Sequence, residues 1–317
     1  MTISTESLGI LLLSFGSERD DVDIPTFLER IRHGRPAPPE LIDDLRARYR
    51  RVGGSPLVDI TTAQAAALQE RLDPAASGAV LVLPAMLYSD PEVETAVAEL
   101  VGRGVTTIVG VPLAPQQSPH SAAYFTALER AVSEMPGVRS RMAGPWHLQP
   151  DFIRTLADHL QSCLAQLDEA ERETAQILFT AHSLPCRVPG VDRYAEQVEE
   201  TASTLANRVG VSRSGWEVVF QSRSGPSNDW LGPDILDVVS GLPARGTRAV
   251  IAAPVQFCAD HLEVLFDLDV VTRERAEALG LRYLRPASLN TAPGFIDALA
   301  DVVRTTVEFA PEVPLPD

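Results

Sequence analysis

Short apolar runs alternate along the chain with longer stretches in which apolar residues recur at helical spacing. The runs predict buried strands at Gly9–Ser14, Ala79–Pro84, Thr106–Leu113, Ala175–Thr180, Trp216–Gln221, Ala249–Val255 and Leu281–Leu284. The stretches between them predict helices at Thr61–Leu72, Pro91–Arg103, Ala122–Ser133, Phe152–Leu167, Tyr194–Val209 and Gly294–Phe309. Alternation of this kind predicts parallel sheets with helices on both faces.

A break in the pattern divides the chain near its middle. Residues 144–150, Gly-Pro-Trp-His-Leu-Gln-Pro, are rich in turn formers, and the alternation restarts after them. This predicts an α/β fold of two similar Rossmann-like, doubly wound lobes. The first lobe should span residues 1–147 and the second residues 148–317, with the last helix a candidate to pack back on the first lobe.

One segment, residues 16–60, departs from simple alternation. It follows the first strand, carries apolar residues at helical spacing around Phe27 and Ile31, and then contains Arg32-His-Gly-Arg35 before a second helical stretch. Excursions of this length at the end of a strand are usually functional.

Composition narrows the class of protein. The 317 residues carry a net charge of −16, and all 27 basic residues are Arg. Such an acidic chain argues against nucleic-acid binding, which relies on neutralising phosphates. No apolar run approaches the length of about 20 residues that spans a bilayer, and no secretory signal is evident, so we expect a cytoplasmic protein. Three separated cysteines form no disulfide framework and no iron–sulfur or zinc spacing.

Two of the predicted strands are followed by polar side chains suited to chemistry. His182 follows the run beginning at Ala175, and Glu263 lies a few residues beyond the run that ends at Val255. Ligands bind beyond the carboxyl ends of parallel strands, because the loops diverge there. An imidazole and a carboxylate could hold a divalent ion such as Fe²⁺ or remove protons near neutral pH. The alternative is that His182 is a hydrogen-bonded structural residue.

Several motifs, taken together and in order, resemble those of the ferrochelatase family over nearly the whole chain, from about Leu8 to Val307. They are Leu11-Leu-Leu-Ser-Phe-Gly16, Arg48-Tyr-Arg-Arg-Val-Gly-Gly-Ser-Pro-Leu57, Ala181-His-Ser-Leu-Pro185, Tyr194-Ala-Glu-Gln197, Gln221-Ser-Arg-Ser-Gly225, Trp230-Leu-Gly-Pro-Asp234 and Pro254-Val-Gln-Phe-Cys-Ala-Asp-His-Leu-Glu-Val-Leu265. The chain lacks a C-terminal extension and is similar to the Gram-positive type that metallates coproporphyrin III.

The resemblance implies a fold, a reaction and catalytic residues. The tetrapyrrole would lie in a cleft between the two lobes, and Fe²⁺ would be inserted into coproporphyrin III to give coproheme in heme biosynthesis. His182 would accept a pyrrole proton or hold the ion, and Glu263 would be its metal-binding partner. Asp260 and His261 could orient them, although His261 is equally interpretable as a helix-start residue bonded to backbone.

Further residues are assigned to substrate binding on the same resemblance. The four propionates of coproporphyrin III require cationic or neutral donors, and Arg matches a carboxylate with two parallel hydrogen bonds. The substrate-binding set is Phe15, Arg32, Arg35, Arg48, Tyr49, Ser55, Tyr124, Phe125 and Trp230. For the arginines the alternative is a solvated helix face. Trp230 either packs on the macrocycle or fills the core, and the core is favoured.

Some positions depart from the family pattern. Phe15 stands where Gram-positive members usually have a Tyr that can contact iron, and Leu87-Tyr88 stands where a basic residue paired with His or Asn is common. Asp267 and Asp269 continue an acidic line from Glu263, but Val271 stands where another Glu is frequent. An outer metal-relay site is therefore in doubt.

Three alternatives stay open at this point. The tetrapyrrole could be protoporphyrin IX, the ion could be another divalent metal, or the protein could bind a tetrapyrrole without turnover. We expect no permanent cofactor and no iron–sulfur cluster, since Fe²⁺ is a substrate. Coproporphyrin III and Fe²⁺ are the expected partners of a monomer without a transmembrane segment, and a downstream heme-pathway enzyme is a further candidate partner.

Overall fold

A computed structural model describes residues 7–223 and 229–309, and these form two compact units. The first unit comprises the described residues up to Pro115, then His120–Trp146, and those from Asn290 onward. The second comprises Gln116–Pro119 and His147–Leu289. Within the described part of the chain, the helices are too short or too polar for any of them to cross a membrane.

Each unit is built on a parallel sheet of four strands. The first sheet contains β1 (Leu8–Ser14), β2 (Val80–Met86), β3 (Thr107–Pro112) and β4 (Arg139–Met142), in the order β2-β1-β3-β4. The second contains β5 (Gln176–His182), β6 (Trp216–Gln221), β7 (Ala249–Pro254) and β8 (Arg282–Leu284), in the order β6-β5-β7-β8. The two orders are equivalent, which confirms the prediction of two similar doubly wound lobes.

Helices connect the strands throughout the described residues. They are α1 (Ile24–Ile31), α2 (Pro39–Val52), α3 (Leu57–Leu72), α4 (Val93–Gly102), α5 (Pro119–Ser133), α6 (Pro150–Leu164), α7 (Glu169–Thr174), α8 (Val191–Val209), α9 (Ile235–Gly241), α10 (Arg273–Ala278) and α11 (Pro293–Phe309). Two short 3₁₀ turns lie at Arg213–Gly215 and Pro243–Arg245, and a π-helix spans Val264–Thr272.

The central strand of each sheet explains the apolar runs in the sequence. Residues Ile10–Leu13 of β1 are completely buried, as are Leu178 and Phe179 of β5. A strand covered by helices on both faces cannot alternate polar with apolar residues, and it reads as a continuous apolar run. The polar residue that ends each run, Ser14 or His182, therefore lies at the carboxyl edge of a sheet.

Predicted and observed elements differ in informative places. β4 was not predicted, because its sequence Arg-Ser-Arg-Met shows no apolar run, yet it pairs with β3 as an edge strand. β5 continues two residues beyond the predicted end at Thr180 and includes His182 itself. The excursion after β1 contains α1, which ends before Arg32, and α2, which ends before the left-handed Gly53 with φ of 82°.

The last helix belongs to the first unit. The second unit ends at Leu289, whereas the sequence prediction extended the second lobe to residue 317. α11 packs against α3, β3 and β4 of the first sheet through completely buried residues such as Phe295 and Leu299. Its apolar face therefore supplies part of the first unit's core.

Replacing a buried residue of α11 should destabilise the protein. Leu299→Ala should lower the free energy of unfolding by about 2–5 kcal/mol, because it removes packed methyl groups and leaves a cavity. Val307→Ala on the same helix should change it by less than about 0.5 kcal/mol, since Val307 is 38% exposed. Urea unfolding followed by tryptophan fluorescence measures both. Equal effects of the two changes would contradict the assignment of α11 to this core.

Candidate active site

His182 ends the central strand of the second sheet, and its peptide group is held on both sides. Its backbone N–H donates to Oε1 of Gln256 at 2.8 Å, and the Tyr194 hydroxyl lies 2.9 Å from its carbonyl oxygen and 2.8 Å from the same Gln256 oxygen. Tyr194 is completely buried on α8. Three elements thus fix the position of the His182 backbone.

The imidazole of His182 is oriented by its own backbone. Its Nδ1 lies 2.6 Å from the carbonyl oxygen of Ser183, and a carbonyl can only accept, so Nδ1 carries a proton. Nε2 then faces Oε1 of Glu263 at 3.2 Å. The side chains are 26% and 36% exposed, respectively, so the pair is partly accessible from outside. The structure therefore brings together the two residues assigned to catalysis and metal binding.

Glu263 is positioned by groups from two further segments. Its backbone carbonyl accepts from the Gln221 amide at the end of β6 at 3.3 Å. Its other carboxylate oxygen lies 3.7 Å from Nε2 of His261, whose Nδ1 is 3.1 Å from the carbonyl oxygen of Ala259. His261 is thus bonded to backbone, as the structural interpretation expected, and it also faces the Glu263 carboxylate.

Electrostatics couple the two groups strongly. Burial of the His182 ring opposes protonation, but the adjacent carboxylate of Glu263 outweighs it and raises the pKa of His182 from 6.5 to about 9. Burial likewise opposes ionisation of Glu263, but the imidazoles of His182 and His261 outweigh it and hold its pKa well below the usual range. Near neutral pH the pair is an imidazolium and a carboxylate.

A π-helix begins directly after Glu263. Hydrogen bonding from residue i to i+5 is rare in proteins and frequent at functional sites, and here it spans nine residues, Val264–Thr272. Asp267 on this helix accepts a hydrogen bond from the Ser222 hydroxyl and, through its carbonyl, one of 2.6 Å from Thr272. The backbone of Ser222 has a φ of 63°, which is uncommon for a residue with a side chain. The end of β6 is therefore locally strained where Ser222 contacts Asp267.

Asp269, the acidic residue that follows Asp267 on the π-helix, forms an ion pair within the protein. Asp269 binds the guanidinium of Arg285 at 2.7 and 2.8 Å, and Val271 offers no ligand. In the described part of the chain, no three or more His, Cys, Asp or Glu side chains are grouped so as to hold a metal ion. An ion at His182 and Glu263 would therefore need most of its ligands from the substrate or from water.

The predicted carboxylate-binding arginines differ in their surroundings. Arg32 and Arg35 lie in the turn after α1, and the Nε of each donates to the backbone carbonyl of the other at 3.3 and 3.1 Å. Within residues 7–223 and 229–309, neither forms an ion pair with a carboxylate. Arg48, by contrast, pairs with Asp44 at 2.9 Å within α2. The turn therefore presents two guanidinium groups that retain donors for an external carboxylate.

Tyr49 and Ser55, two further residues of the predicted substrate-binding set, are buried. The Tyr49 ring is 1% exposed, and its hydroxyl is 2.7 Å from that of Ser17, so it joins α2 to the loop after β1. Ser55 is 4% exposed, and its hydroxyl has no hydrogen-bond partner among the described residues.

The aromatic candidates fall into different environments. Phe15 is half-buried at the end of β1, and its ring centroid lies 4.7 Å from that of Tyr88. Tyr124 is 4% exposed in the apolar cluster beneath α5, a position that suits packing and not ligand contact, whereas its neighbour Phe125 is 39% exposed. Trp230 forms an isolated antiparallel β-bridge with Pro185. Its side chain is half-buried, so Trp230 is not a core residue.

The comparison with protein families decides what kind of site this is. Residues 7–307 match the model of the ferrochelatase family. The chain belongs to the ferrochelatase family.

Individual relatives agree with this. The chain is 37% identical over 303 residues to coproporphyrin III ferrochelatase of Geobacillus kaustophilus, an alignment covering 94% of this chain and 95% of the relative. It is 36% identical over 312 residues to the protein of the same name from Geobacillus thermodenitrificans, covering 95% and 96%. Among solved structures, SirB from Bacillus subtilis with Fe³⁺ superposes with a TM-score of 0.60 at 17% identity over 95% of both chains, which supports the fold.

Several residues that hold this ferrochelatase-family site received no role from the sequence. Gln256, Tyr194 and Gln221 lie inside the quoted motifs, so the motifs were the available signal. Their functions could not be read from residue type, because Gln and Tyr are compatible with core, surface or site. The parallel packing of β5, β6 and β7 brings Gln221 and Gln256 beside His182 and Glu263, and helix α8 brings Tyr194 to the His182 carbonyl.

The ionisation of the pair is testable in the iron-free protein. The raised pKa of His182 means that its protonation stabilises the fold fully below about pH 6.5, as long as Glu263 remains ionised, and that this contribution is lost as the pH rises through about 9. We expect the His182 ring resonance, assigned by its loss in His182→Ala, to titrate near 9 by NMR. In Glu263→Gln the midpoint should fall, since burial then acts without the carboxylate. A midpoint that is the same in both proteins would contradict the coupling.

Proposed function

We propose that this protein inserts Fe²⁺ into coproporphyrin III to form coproheme, as a lyase-class chelatase of heme biosynthesis. The observation that carries the proposal is the His182–Glu263 pair, held with 3.2 Å between Nε2 and Oε1 at the end of β5 in a ferrochelatase-family chain. The names of the most similar relatives support coproporphyrin III as the tetrapyrrole.

The reaction requires that two pyrrole N–H protons leave as the ion enters. Apart from its propionates the porphyrin ring is neutral, and with Fe²⁺ it gives a neutral iron-bound ring and two protons, so a base must be available close to the ring. Nδ1 of His182 is committed to the Ser183 carbonyl, so Nε2 is the atom that exchanges protons. Because the raised pKa keeps Nε2 protonated near neutral pH, it must first release that proton, which the positive charge of an arriving Fe²⁺ favours, before it can accept one from a pyrrole. Its basicity is increased by Glu263, and a proton taken there forms the imidazolium that the carboxylate stabilises.

Glu263 has two uses in this scheme. Its carboxylate offers an oxygen ligand to the incoming Fe²⁺, and imidazole with carboxylate is a donor set that such an ion accepts. It also offsets the positive charge that arrives at a partly buried site, whether that charge is a metal ion or a proton on His182. Because the ion cannot be fully enclosed by two side chains, it can pass from them to the pyrrole nitrogens.

The choice of tetrapyrrole is proposed from the arginines after α1. Arg32 and Arg35 each donate a hydrogen bond from Nε to the other's backbone carbonyl oxygen. The remaining N–H groups of both guanidinium groups are left to bind the carboxylates of a substrate. Coproporphyrin III has two more propionates than protoporphyrin IX, and each charge-assisted hydrogen bond is worth about 1.5–3 kcal/mol before desolvation. Phe15 offers no oxygen ligand, so in this proposal it contributes an apolar contact next to Tyr88.

Iron is a substrate in this proposal, and no permanent cofactor takes part. Cys163 and Cys258 are buried and Cys186 is exposed, and none forms a disulfide. Three separated thiols are fewer than the four that commonly hold an iron–sulfur cluster. We also propose that the protein acts as a cytoplasmic monomer that delivers coproheme to the next enzyme of heme synthesis.

An anaerobic absorbance assay with Fe²⁺ and each porphyrin tests the proposal. We expect catalytic turnover with a higher kcat/KM for coproporphyrin III than for protoporphyrin IX. Arg32→Gln should reduce that preference, because it removes a donor to propionate. Arg103→Gln is the matched control, since Arg103 is an exposed residue of the first unit that pairs with Glu99 on α4.

Each alternative has its own outcome in this assay. Equal or better turnover of protoporphyrin IX would overturn the substrate choice. A stoichiometric spectral shift without turnover would identify a tetrapyrrole-binding protein. Faster insertion of Co²⁺, Ni²⁺ or Zn²⁺ than of Fe²⁺ would identify a chelatase for another metal.

A further inference from the structure

Arg285 is the centre of a polar network behind the candidate active site. It follows β8, its side chain is only 12% exposed, and its Nε and Nη2 donate to the two oxygens of Asp269 at 2.7 and 2.8 Å. Nη2 is also 3.2 Å from Oδ1 of Asp260. Nη1 donates to Ser288 at 3.1 Å, and the Ser288 hydroxyl donates to Asp260 at 2.6 Å.

The two carboxylates of this network lie on either side of Glu263 in the chain. Asp260 precedes it in the loop after β7, and Asp269 follows it on the π-helix. One guanidinium therefore ties both ends of the segment 260–269 to the end of β8. Glu263 is the residue of this segment whose carboxylate faces His182, and its orientation depends on where the two ends are held.

The chemistry of the contact suits positioning. A guanidinium that donates two parallel hydrogen bonds to one carboxylate fixes direction as well as distance, which an ammonium group does not. Because the group is largely buried, removal of the cation would leave two carboxylates without their counter-charge, and the segment would have to rearrange to hydrate them.

We propose that Arg285 is a positioning residue for metal insertion, which holds Glu263 against His182 by anchoring Asp260 and Asp269 together. This inference rests on the proposed function. It adds a residue that touches neither metal nor tetrapyrrole, and it assigns the acidic side chains at 260 and 269 to support of the site instead of to ion transfer.

Arg285→Met tests the inference, with Arg285→Lys as the conservative variant. In Arg285→Met, kcat/KM for Fe²⁺ should fall by roughly 10- to 100-fold, the usual effect of losing a group that orients a metal ligand. The KM for coproporphyrin III should not change. Arg285→Lys should recover part of the loss, because it keeps the charge but not the paired hydrogen bonds. A merely structural role would lower stability without this separation between metal and porphyrin.

Arg282→Met is the matched control, because Arg282 begins β8, the strand that Arg285 follows. Arg282 pairs with Glu171 at 2.8 Å, away from the segment 260–269, so Arg282→Met should leave both kinetic constants unchanged. Amide hydrogen exchange should rise within residues 260–269 in Arg285→Met and not in Arg282→Met. If Arg285→Met does not fold, Asp269→Asn replaces it, since that change keeps the shape of the contact while weakening the same anchor.

Binding of Co²⁺ to the porphyrin-free protein, measured by calorimetry, separates this inference from the proposed function. Failure of the wild-type protein to metallate any porphyrin, with Co²⁺ binding that Arg285→Met weakens, would reject the function and support the positioning role. Metallation or Co²⁺ binding by Arg285→Met at the wild-type level would overturn the positioning role alone. A wild-type protein that does neither overturns both.

Discussion

The contact between His182 and Glu263 is the constraint on which the rest of the second unit depends. An imidazole and a carboxylate with 3.2 Å between Nε2 and Oε1 must both be partly removed from water, and each is costly to bury without the other. The surrounding groups serve to keep the two together. Gln256 and Tyr194 hold the peptide of His182, and Ser183 sets its tautomer.

Glu263, the other member of the pair, is positioned by an unusual backbone conformation. Glu263 stands directly before nine residues of π-helix. Gln221 and Ser222 at the end of β6 and Arg285 at the end of β8 contact this segment. The Ser222 backbone adopts a positive φ to make its contact with Asp267. Uncommon local conformations persist where surrounding contacts determine them, and both features occur next to the same carboxylate.

The parts of the fold that could be predicted are those that leave a pattern in a short stretch of sequence. Buried central strands produce continuous apolar runs, so β1, β5 and β7 were predicted to within two residues, and His182 was correctly placed at a strand end. β4 escaped because an edge strand with two arginines has no such run. The π-helix could not be predicted, since no residue pattern distinguishes it from an α-helix of the same composition.

The site was predictable only in part for a related reason. His182 and Glu263 were indicated by their places after buried apolar runs, and the ferrochelatase-like motifs around them, not that spacing alone, assigned them to catalysis. The fork from Arg285 to Asp260 and Asp269 joins residues 16 and 25 positions apart, and pairing over such distances is set by tertiary packing. Tyr124 was assigned to the substrate, but its burial in the first core shows that residue type alone does not locate an aromatic side chain.

The central claim is that His182 and Glu263 act together on the metal. Single-turnover stopped-flow absorbance measures it most directly, with protein and coproporphyrin III premixed and then combined anaerobically with Fe²⁺. We expect His182→Ala to bind the porphyrin and fail to insert iron, and Glu263→Gln to do the same. His159→Ala is the control and should insert iron normally, since His159 is a half-buried histidine of α6 that is bonded to the Ala287 carbonyl. Insertion by His182→Ala at the wild-type rate would contradict the account.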